Sequence, residues 1–549
     1  MKIKISFLGG LNEIGKNMTL FEFDNEIIIL DAGFEFPNAD LLGIDRVIPD
    51  VSYAIQNKKK IKAIILSHGH ADHIGGLRYF CKDLDYPPIY ATALTIGIVK
   101  SELPSYISKN VQFHEVSLPS SVKIGRIKID FLRVTHSIPD GMATVFHTPY
   151  GNIFHSGDFK IDLTPIDSKQ IDLQGIANAG KEGTLLYLGD STNADEPGFT
   201  PSEKSVGLKL EDLIRAWHGR VIVATFSTNL HRIQQVFDIA TKVNRKVLVD
   251  GRSMMNTIQV ATELGHINVP SQLFVKQQEC QSYPDKKLIV LTTGTQGEPF
   301  SGLTKMARNQ HDVLKLKKGD KVIISADPIP GNEASVTKNI NNLMRLGADV
   351  VYQTEGIHAS GHGSQEDLRL MMSLIQPTFF IPVHGEYRQM FTHCKIAHEV
   401  GLPEDHTKIC ENGDSISLTK NAMKKVGKIP ANPIYIDGRN VGDIGDSVIN
   451  ERKILSREGV LNVVVIVDVK KRSLVTAPLV ETKGLISSDF SSDLYEKVTH
   501  GIQELVKKWS KQNGKGSDLE IMTKGYLSGF FSSEVHRKPV IFVSVIESN

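Results

Sequence analysis

Cysteine is scarce in this chain. Only Cys81, Cys280, Cys394 and Cys410 occur in 549 residues, and no two share a Cys-x-x-Cys spacing. That argues against a disulfide framework and suits a reduced compartment, with single scattered thiols acting as small buried hydrophobes. Net charge is also lacking. Sixty-three basic and 62 acidic residues leave +1, so bulk charge gives no sign of a polyanionic partner. Any positive potential must be local, from a groove, helix N-termini or metal ions. No apolar run approaches the ~18 residues that span a bilayer. The opening MKIKISFLGG is a short strand pattern that lacks the length of a signal h-region. The expected location is therefore cytoplasmic, with no membrane association. Repeats and low-complexity segments are absent. What remains is ordinary folded material, 40% hydrophobic and 23% charged, long enough for three or four units at roughly 150 residues each.

Strands dominate early. Lys2 to Phe7 alternates and breaks at Gly9-Gly10, Met18 to Phe23 and Glu26 to Leu30 read as a hairpin around Asp24-Asn25, and Ile61 to Leu66 is a short buried strand. Ile127 to Val134, Thr144 to His147, Gly151 to His155 and Thr184 to Leu188 follow, with a helical pattern over Pro201 to Trp217. This predicts layered sheets covered by helices. From about 200 to 350 strands and helices alternate, as in a separate parallel-sheet unit inserted into the first domain. Residues 424–445, rich in Lys, Gly, Pro, Asn and Asp, read as a linker. Beyond it, Val460 to Val469, an amphipathic helix over Ser491 to Ser510 and Pro539 to Ile546 predict a small α/β domain.

The run Ser67-His-Gly-His-Ala-Asp-His-Ile-Gly-Gly76 carries the most chemistry. Three histidines and an aspartate fall within six residues, directly after a buried strand. Imidazole and carboxylate suit zinc and similar divalent ions. His68 and His70, two apart on extended chain, can share one ion, while Asp72 and His73 lie on the turn beyond and can reach a second. Further candidates sit at strand ends, where loops gather functional groups: His136, Asp158 and His384. Taken singly, each fits a hydrogen-bonded structural residue better; together with the first run they point to a metal site. The run Gly10-Leu-Asn-Glu-Ile-Gly15-Lys16 has the glycines and lysine of a Walker A loop, but Asn17 stands where Ser or Thr should hold magnesium. A turn between the first two strands explains it better.

His-x-His-x-Asp-His resembles the signature of the metallo-β-lactamase superfamily. Later runs narrow the resemblance to its β-CASP nucleases and to ribonuclease J: Leu8–Asn17, His136-Ser-Ile-Pro-Asp140, Gly157-Asp-Phe-Lys160, Gly189-Asp-Ser-Thr-Asn-Ala194, Phe226–Ile233, Thr293–Pro299, His358-Ala-Ser-Gly-His362, Pro382–Arg388 and Arg439–Gly445. The resemblance implies an αββα sandwich with an inserted β-CASP α/β domain and a small C-terminal α/β domain. The expected boundaries are 1–199 and 353–425 for the sandwich, 200–352 for the insertion, 426–450 for the linker and 451–549 for the last domain. It implies two divalent ions per subunit, zinc first and manganese as the alternative. His68, His70, His136 and Asp158 would hold one; Asp72, His73, Asp158 and His384 would hold the other, with Asp158 bridging. Asp31 would orient the ligands. No ligand of the pattern is missing.

The same resemblance implies a two-metal phosphodiesterase acting on single-stranded RNA. It would digest 5′ to 3′ with preference for a 5′-monophosphate and would also cut internally, in RNA maturation and mRNA decay. His362, with Asp190, is the candidate proton donor to the leaving 3′-oxygen. Ser227, Thr228 and Asn229, with His358, Ala359, Ser360, Gly361 and His362, are candidates for holding the terminal phosphate; loop and helix-capping chemistry is the competing account of Ser227 to Asn229. A homodimer or homotetramer is expected, with a paralogous subunit as a further partner, and with the C-terminal domain supporting self-association. The alternatives are a DNA-processing β-CASP nuclease, a small-molecule hydrolase of thioesters or lactams, and a non-catalytic RNA-binding subunit.

Overall fold

The computed structural model describes residues 1–548 except 39, 299, 330, 331, 355, 439, 486–490 and 513. Arg439 and Pro299, named in two of the runs above, lie outside the described residues. Two compact units are present, one of residues 1–39 and 45–436, the other of residues 40–44 and 437–549.

In the first unit, strands such as Ile3–Gly9, Met18–Phe23 and Glu26–Leu30 are buried on both faces, which explains their almost unbroken apolar sequence. An eight-stranded sheet runs in the order Ala422–Lys428, Asp414–Thr419, Ile3–Gly9, Met18–Phe23, Glu26–Leu30, Ile61–Ile65, Ile89–Ala91, Phe113–Glu115. A six-stranded sheet runs Phe379–Val383, Thr184–Asp190, Gly151–His155, Met142–Thr148, Ile127–Arg133, Ser120–Ile124. Alternation sorts the side chains. Ile28 and Leu30 face the other sheet and pack with Phe131, Phe146 and Ile381. Ile27 and Ile29 face outward onto helix Ala93–Glu102 through Leu94 and Ile98. Phe21 stacks on Phe146 across the sandwich at 4.4 Å between ring centroids. Helices Leu173–Gly183, Gln365–Ile375 and Tyr387–Glu399 cover the second sheet through Ile176, Met371, Ile375 and Ala397. The expected αββα sandwich is therefore present.

The chain leaves this sandwich after Thr184–Asp190 and re-enters it at Phe379–Val383, paired parallel with the strand it left, Asp190 opposite Val383. Between them lies a five-stranded, all-parallel sheet in the order Lys246–Val249, Leu288–Thr292, Val221–Ala224, Lys321–Ile324, Asp349–Val351. Helices Leu230–Lys242, Arg252–Glu263 and Glu333–Arg345 flank it.

The expected linker at 426–450 is more ordered than its composition suggests. Strand Ile434–Asp437 pairs antiparallel with Arg46–Ile48, and helix Asp446–Glu458 begins inside the stretch. Turn-forming residues surround the β-favouring Ile434-Tyr435-Ile436, whose partner is almost 400 positions away. In the second unit, Val460–Asp468 is central: Leu461, Val463, Val465 and Val467 face the core, and Leu479–Lys483 and Val540–Ser548 pair with it. On helix Ser491–Lys511 the buried residues are Val498, Ile502, Val506 and Trp509. Val506, and not the half-buried Leu505, completes that face. Among the described residues no helix is long and apolar enough to cross a membrane.

Candidate metal centre

The site lies where strands of both sheets end. Ile61–Ile65 delivers the chain to His68, and His70 is still extended (φ −79°, ψ 150°) before the short helix Ala71–Ile74 begins. His136 follows Ile127–Arg133, Asp158 follows Gly151–His155 and His384 follows Phe379–Val383. Asp31 and His384 both adopt positive φ, 62° and 52°, as the chain turns off its strand.

Two groups of donor atoms result, each within 4.8 Å: His68, His70 and His136, and Asp72, His73, Asp158 and His384. In the first, His70 Nδ1 lies 3.0 Å from His68 Nε2 and 3.1 Å from His136 Nε2. In the second, His73 Nε2 lies 3.1 Å from Asp158 Oδ2, and His384 Nε2 lies 3.2 Å from Asp72 Oδ2. Asp158 Oδ2 also lies 3.7 Å from His68 Nε2 and 4.0 Å from His136 Nε2, so one carboxylate oxygen stands between the groups. Asp158, Asp190, His362 and His384 form a third, overlapping group.

The opposite ring nitrogens are held from behind. Asp31 Oδ2 lies 2.8 Å from His73 Nδ1, and Asp31 also accepts from the Ser67 backbone N–H and hydroxyl. His136 Nδ1 lies 2.7 Å from the carbonyl oxygen of Gly361, and His384 Nδ1 lies 2.7 Å from Thr192 Oγ1. Such partners fix ring orientation in metal sites. Burial pushes His70 down to about 4 and holds His68 and His136 well below the usual imidazole range, so these rings are neutral with lone pairs to offer. Burial works the same way on His384, but Asp158, with Asp190 and Asp72, outweighs it and raises the ring to about 10. An imidazole-rich, carboxylate-bridged donor set of this kind suits divalent metal ions.

Beside the centre, His362 Nδ1 lies 2.8 Å from Asp190 Oδ2. The His362 ring stacks on His384, with centroids 5.4 Å apart. The remaining candidates are spread over neighbouring loops. Asn229 caps helix Leu230–Lys242, its side-chain oxygen accepting from the Arg232 N–H, while its buried Nδ2 has no partner among the described residues. Capping thus accounts for the oxygen of Asn229 and leaves the amide over. Ser227 Oγ accepts from Ser253, and the Thr228 carbonyl accepts from the Leu230 N–H. His358 Nδ1 is likewise buried without a partner, Ser360 Oγ accepts from the His362 N–H, and Ala359 packs into the core.

Sequence reasoning overlooked three supports. Thr192 and Ser67 lie inside the runs quoted above, and a hydroxyl two residues after Asp190 or just before His68 was the available signal. For Gly361 the sequence suggests only phosphate binding. Its missing side chain matters more, since a Cβ there would stand 2.4 Å from His136 Cε1. The Walker-like Lys16 is buried between Glu13 and Glu35, at 2.5 and 2.9 Å. Its neighbour Asn17 donates its N–H to the Asp72 carbonyl, so this loop braces the centre.

Residues 11–161 match the metallo-beta-lactamase superfamily, 218–343 the ribonuclease J beta-CASP domain, 347–406 the Zn-dependent metallo-hydrolase RNA specificity domain and 447–548 the ribonuclease J C-terminal domain. A crystal structure of a protein of unknown function from Enterococcus faecalis V583 shares the fold, with TM-score 0.56 at 18% identity, covering 76% of this chain and all of that one. Fold and centre together define a hydrolytic nuclease of the metallo-β-lactamase superfamily with a β-CASP insertion. The chain is 38% identical to ribonuclease J2 of Bacillus subtilis over 547 residues, 99% of this chain and 98% of that protein. It is 40% identical to ribonuclease J of Synechocystis over 524 residues (94% and 81%) and 43% identical to that of Thermus thermophilus over 468 residues (84% and 81%). The chain belongs to the ribonuclease J family.

Proposed function

We propose that this chain is a metal-dependent ribonuclease that degrades single-stranded RNA from a 5′-monophosphate end and also cuts internally. The supporting observation is the convergence of seven histidines and aspartates from four loops, with Asp158 Oδ2 between the two groups. His68, His70, His136 and Asp158 would hold one ion and Asp72, His73, Asp158 and His384 the other, and zinc fits the nitrogen-rich donors best. When bound, such ions neutralise phosphate charge and make water a stronger acid.

The chain's own groups do the rest. Asp31, Gly361 and Thr192 keep the rings of His73, His136 and His384 aimed inward. Asp190 Oδ2 holds the Nδ1 proton of His362, leaving Nε2 to donate to the departing 3′-oxygen. Ser227, the unpartnered Asn229 Nδ2, His358 and Ser360 supply donors for a terminal phosphate dianion. Self-association through the C-terminal domain, as a homodimer or homotetramer, is part of this reading; exposed Phe542, Ile546 and Leu479 in that domain support it. A cytoplasmic location is a further part.

Digestion of one RNA carrying a 5′-triphosphate, monophosphate or hydroxyl, with products mapped from both ends, tests the reading. The monophosphate form should be consumed fastest, from its 5′ end, and a chelator should stop it. Combined Ser227→Ala and Ser360→Ala should cut the preference for monophosphate roughly tenfold, as expected for lost hydrogen bonds to a charged group. Cleavage that proceeds from the 3′ end, or survives chelation, overturns the reading.

A further inference from the structure

Three buried charges outside the metal centre have no part in the chemistry above. Lys160 and Glu203 are 1% exposed and Arg232 is fully buried, the largest such side chain described. Each comes from a different place. Lys160 is two residues beyond Asp158, and its backbone bridges to Thr135, the residue before His136. Glu203 opens helix Glu203–Arg215, at the passage from the sandwich into the insertion. Arg232 stands in the first turn of the helix that Asn229 caps.

The contacts are directional. Arg232 Nη2 donates to Glu203 Oε2 at 2.6 Å and Nε to Gln235 Oε1 at 3.2 Å. Nη1 donates to the Ile357 carbonyl at 3.0 Å and to the Ser325 hydroxyl, and Ser325 Oγ donates to that same carbonyl at 2.5 Å. Ile357 immediately precedes His358. Lys160 Nζ donates to the Pro201 carbonyl at 3.1 Å and lies 3.8 Å from Glu203 Oε1. Burial alone would raise the Glu203 carboxyl; Arg232 and Lys160 outweigh it and hold it at about 2, so the residue is ionised. A planar guanidinium can grip several segments at once, which an apolar side chain of similar volume cannot. Buried ion pairs add little net stability, so this one is better explained by the geometry it fixes.

We propose that Glu203, acting through Arg232, is a positioning residue for recognition of the RNA 5′ end. The pair sets the Asn229 segment against the His358–Ser360 segment, and Lys160 ties both to the loops of Asp158 and His136. This rests on the 5′-end reading above. Small displacements of binding groups cost activity out of proportion to their size.

The test is kcat/KM on one RNA bearing either a 5′-monophosphate or a 5′-hydroxyl, for the full chain and for Glu203→Gln, Glu203→Asp and Ser325→Ala. The monophosphate-to-hydroxyl ratio should fall about tenfold in Glu203→Gln and Ser325→Ala, mainly through KM, with Glu203→Asp recovering part of it. Ser325→Ala leaves every charge in place, so it decides the matter should Glu203→Gln fail to fold. An unchanged ratio in Ser325→Ala and in the folded Glu203 variants overturns the inference. A wild-type ratio near one instead removes the 5′-end reading itself, and is seen before any variant is made.

Discussion

Two buried polar clusters lie side by side in this fold, and they are built on opposite rules. At the centre around His68, His70 and His136, ring nitrogens face ring nitrogens at 3.0 and 3.1 Å, and burial drives all three rings toward neutrality. Lone pairs point at a common place with too few protons between them. Around Arg232, donors meet acceptors: a carboxylate, an amide oxygen, a hydroxyl and a carbonyl. Both clusters are largely buried and rich in titratable side chains, so burial and composition alone do not tell them apart. The matching of donor to acceptor does. A cluster that is mismatched within itself is made for a cation, and a matched one is made to hold segments in place.

The largest effect should come from removing a side chain of the metal centre, either from the mismatched rings or from the carboxylate beside them. Asp158→Ala, or His70→Ala, should lower RNA cleavage by roughly a thousandfold or more, because the metal chemistry is lost outright. Cooperative thermal unfolding should persist, and metal analysis of the purified protein should show the bound ions depleted. Cleavage within tenfold of wild type would show that the facing nitrogens are an accident of packing.

A subtler change sharpens the comparison from behind the ligands. Gly361 accepts from His136 Nδ1 and has no side chain to collide with the ring. Gly361→Ala places a Cβ 2.4 Å from His136 Cε1 and must turn the imidazole or shift the loop. About 10- to 100-fold lower metal affinity and activity should follow, the usual scale for losing an outer partner of a ligand. Titrating the ion back should restore most of the rate; if excess metal restores nothing, His136 is not the residue being disturbed.

Local pattern carried much of this molecule and long-range pairing carried the rest. The hairpin of Met18–Phe23 and Glu26–Leu30 and the alternation of strands and helices through Val221–Ala224, Lys246–Val249 and Leu288–Thr292 are written in neighbouring residues. So is the histidine run, since its ligands crowd into six positions. Strand Ile434–Asp437 was hidden because its partner Arg46–Ile48 is remote. Thr192 and Gly361 were hidden because a hydroxyl and a glycine signal nothing until the ring they serve is beside them. The Arg232 network was hidden for the opposite reason: Arg and Glu are read as surface residues, and only the fold brings Lys160, Glu203, Ser325 and Ile357 around one guanidinium.

Lys16 offers the smallest effect on activity and the sharpest contrast with the ligands. It is 4% exposed and sits in a glycine-rich loop that imitates a nucleotide site, yet its ammonium is matched by Glu13 and Glu35. By the rule above it belongs with Arg232: it holds a loop and awaits no ligand. Lys16→Met keeps the stem and removes the charge, leaving two partly exposed carboxylates facing each other without their cation. Burial already raises Glu35, with Lys16 opposing that rise, so the loss should destabilise the fold by about 1–3 kcal/mol, less than for a wholly buried pair because water reaches both acids. The backbone bond from Asn17 to Asp72 does not depend on the ammonium, so RNA cleavage below the melting transition should change less than about threefold. Calorimetry and a cleavage assay on the same preparation separate the two outcomes. A variant that melts normally but loses cleavage would move Lys16 out of the matched class and into the reaction.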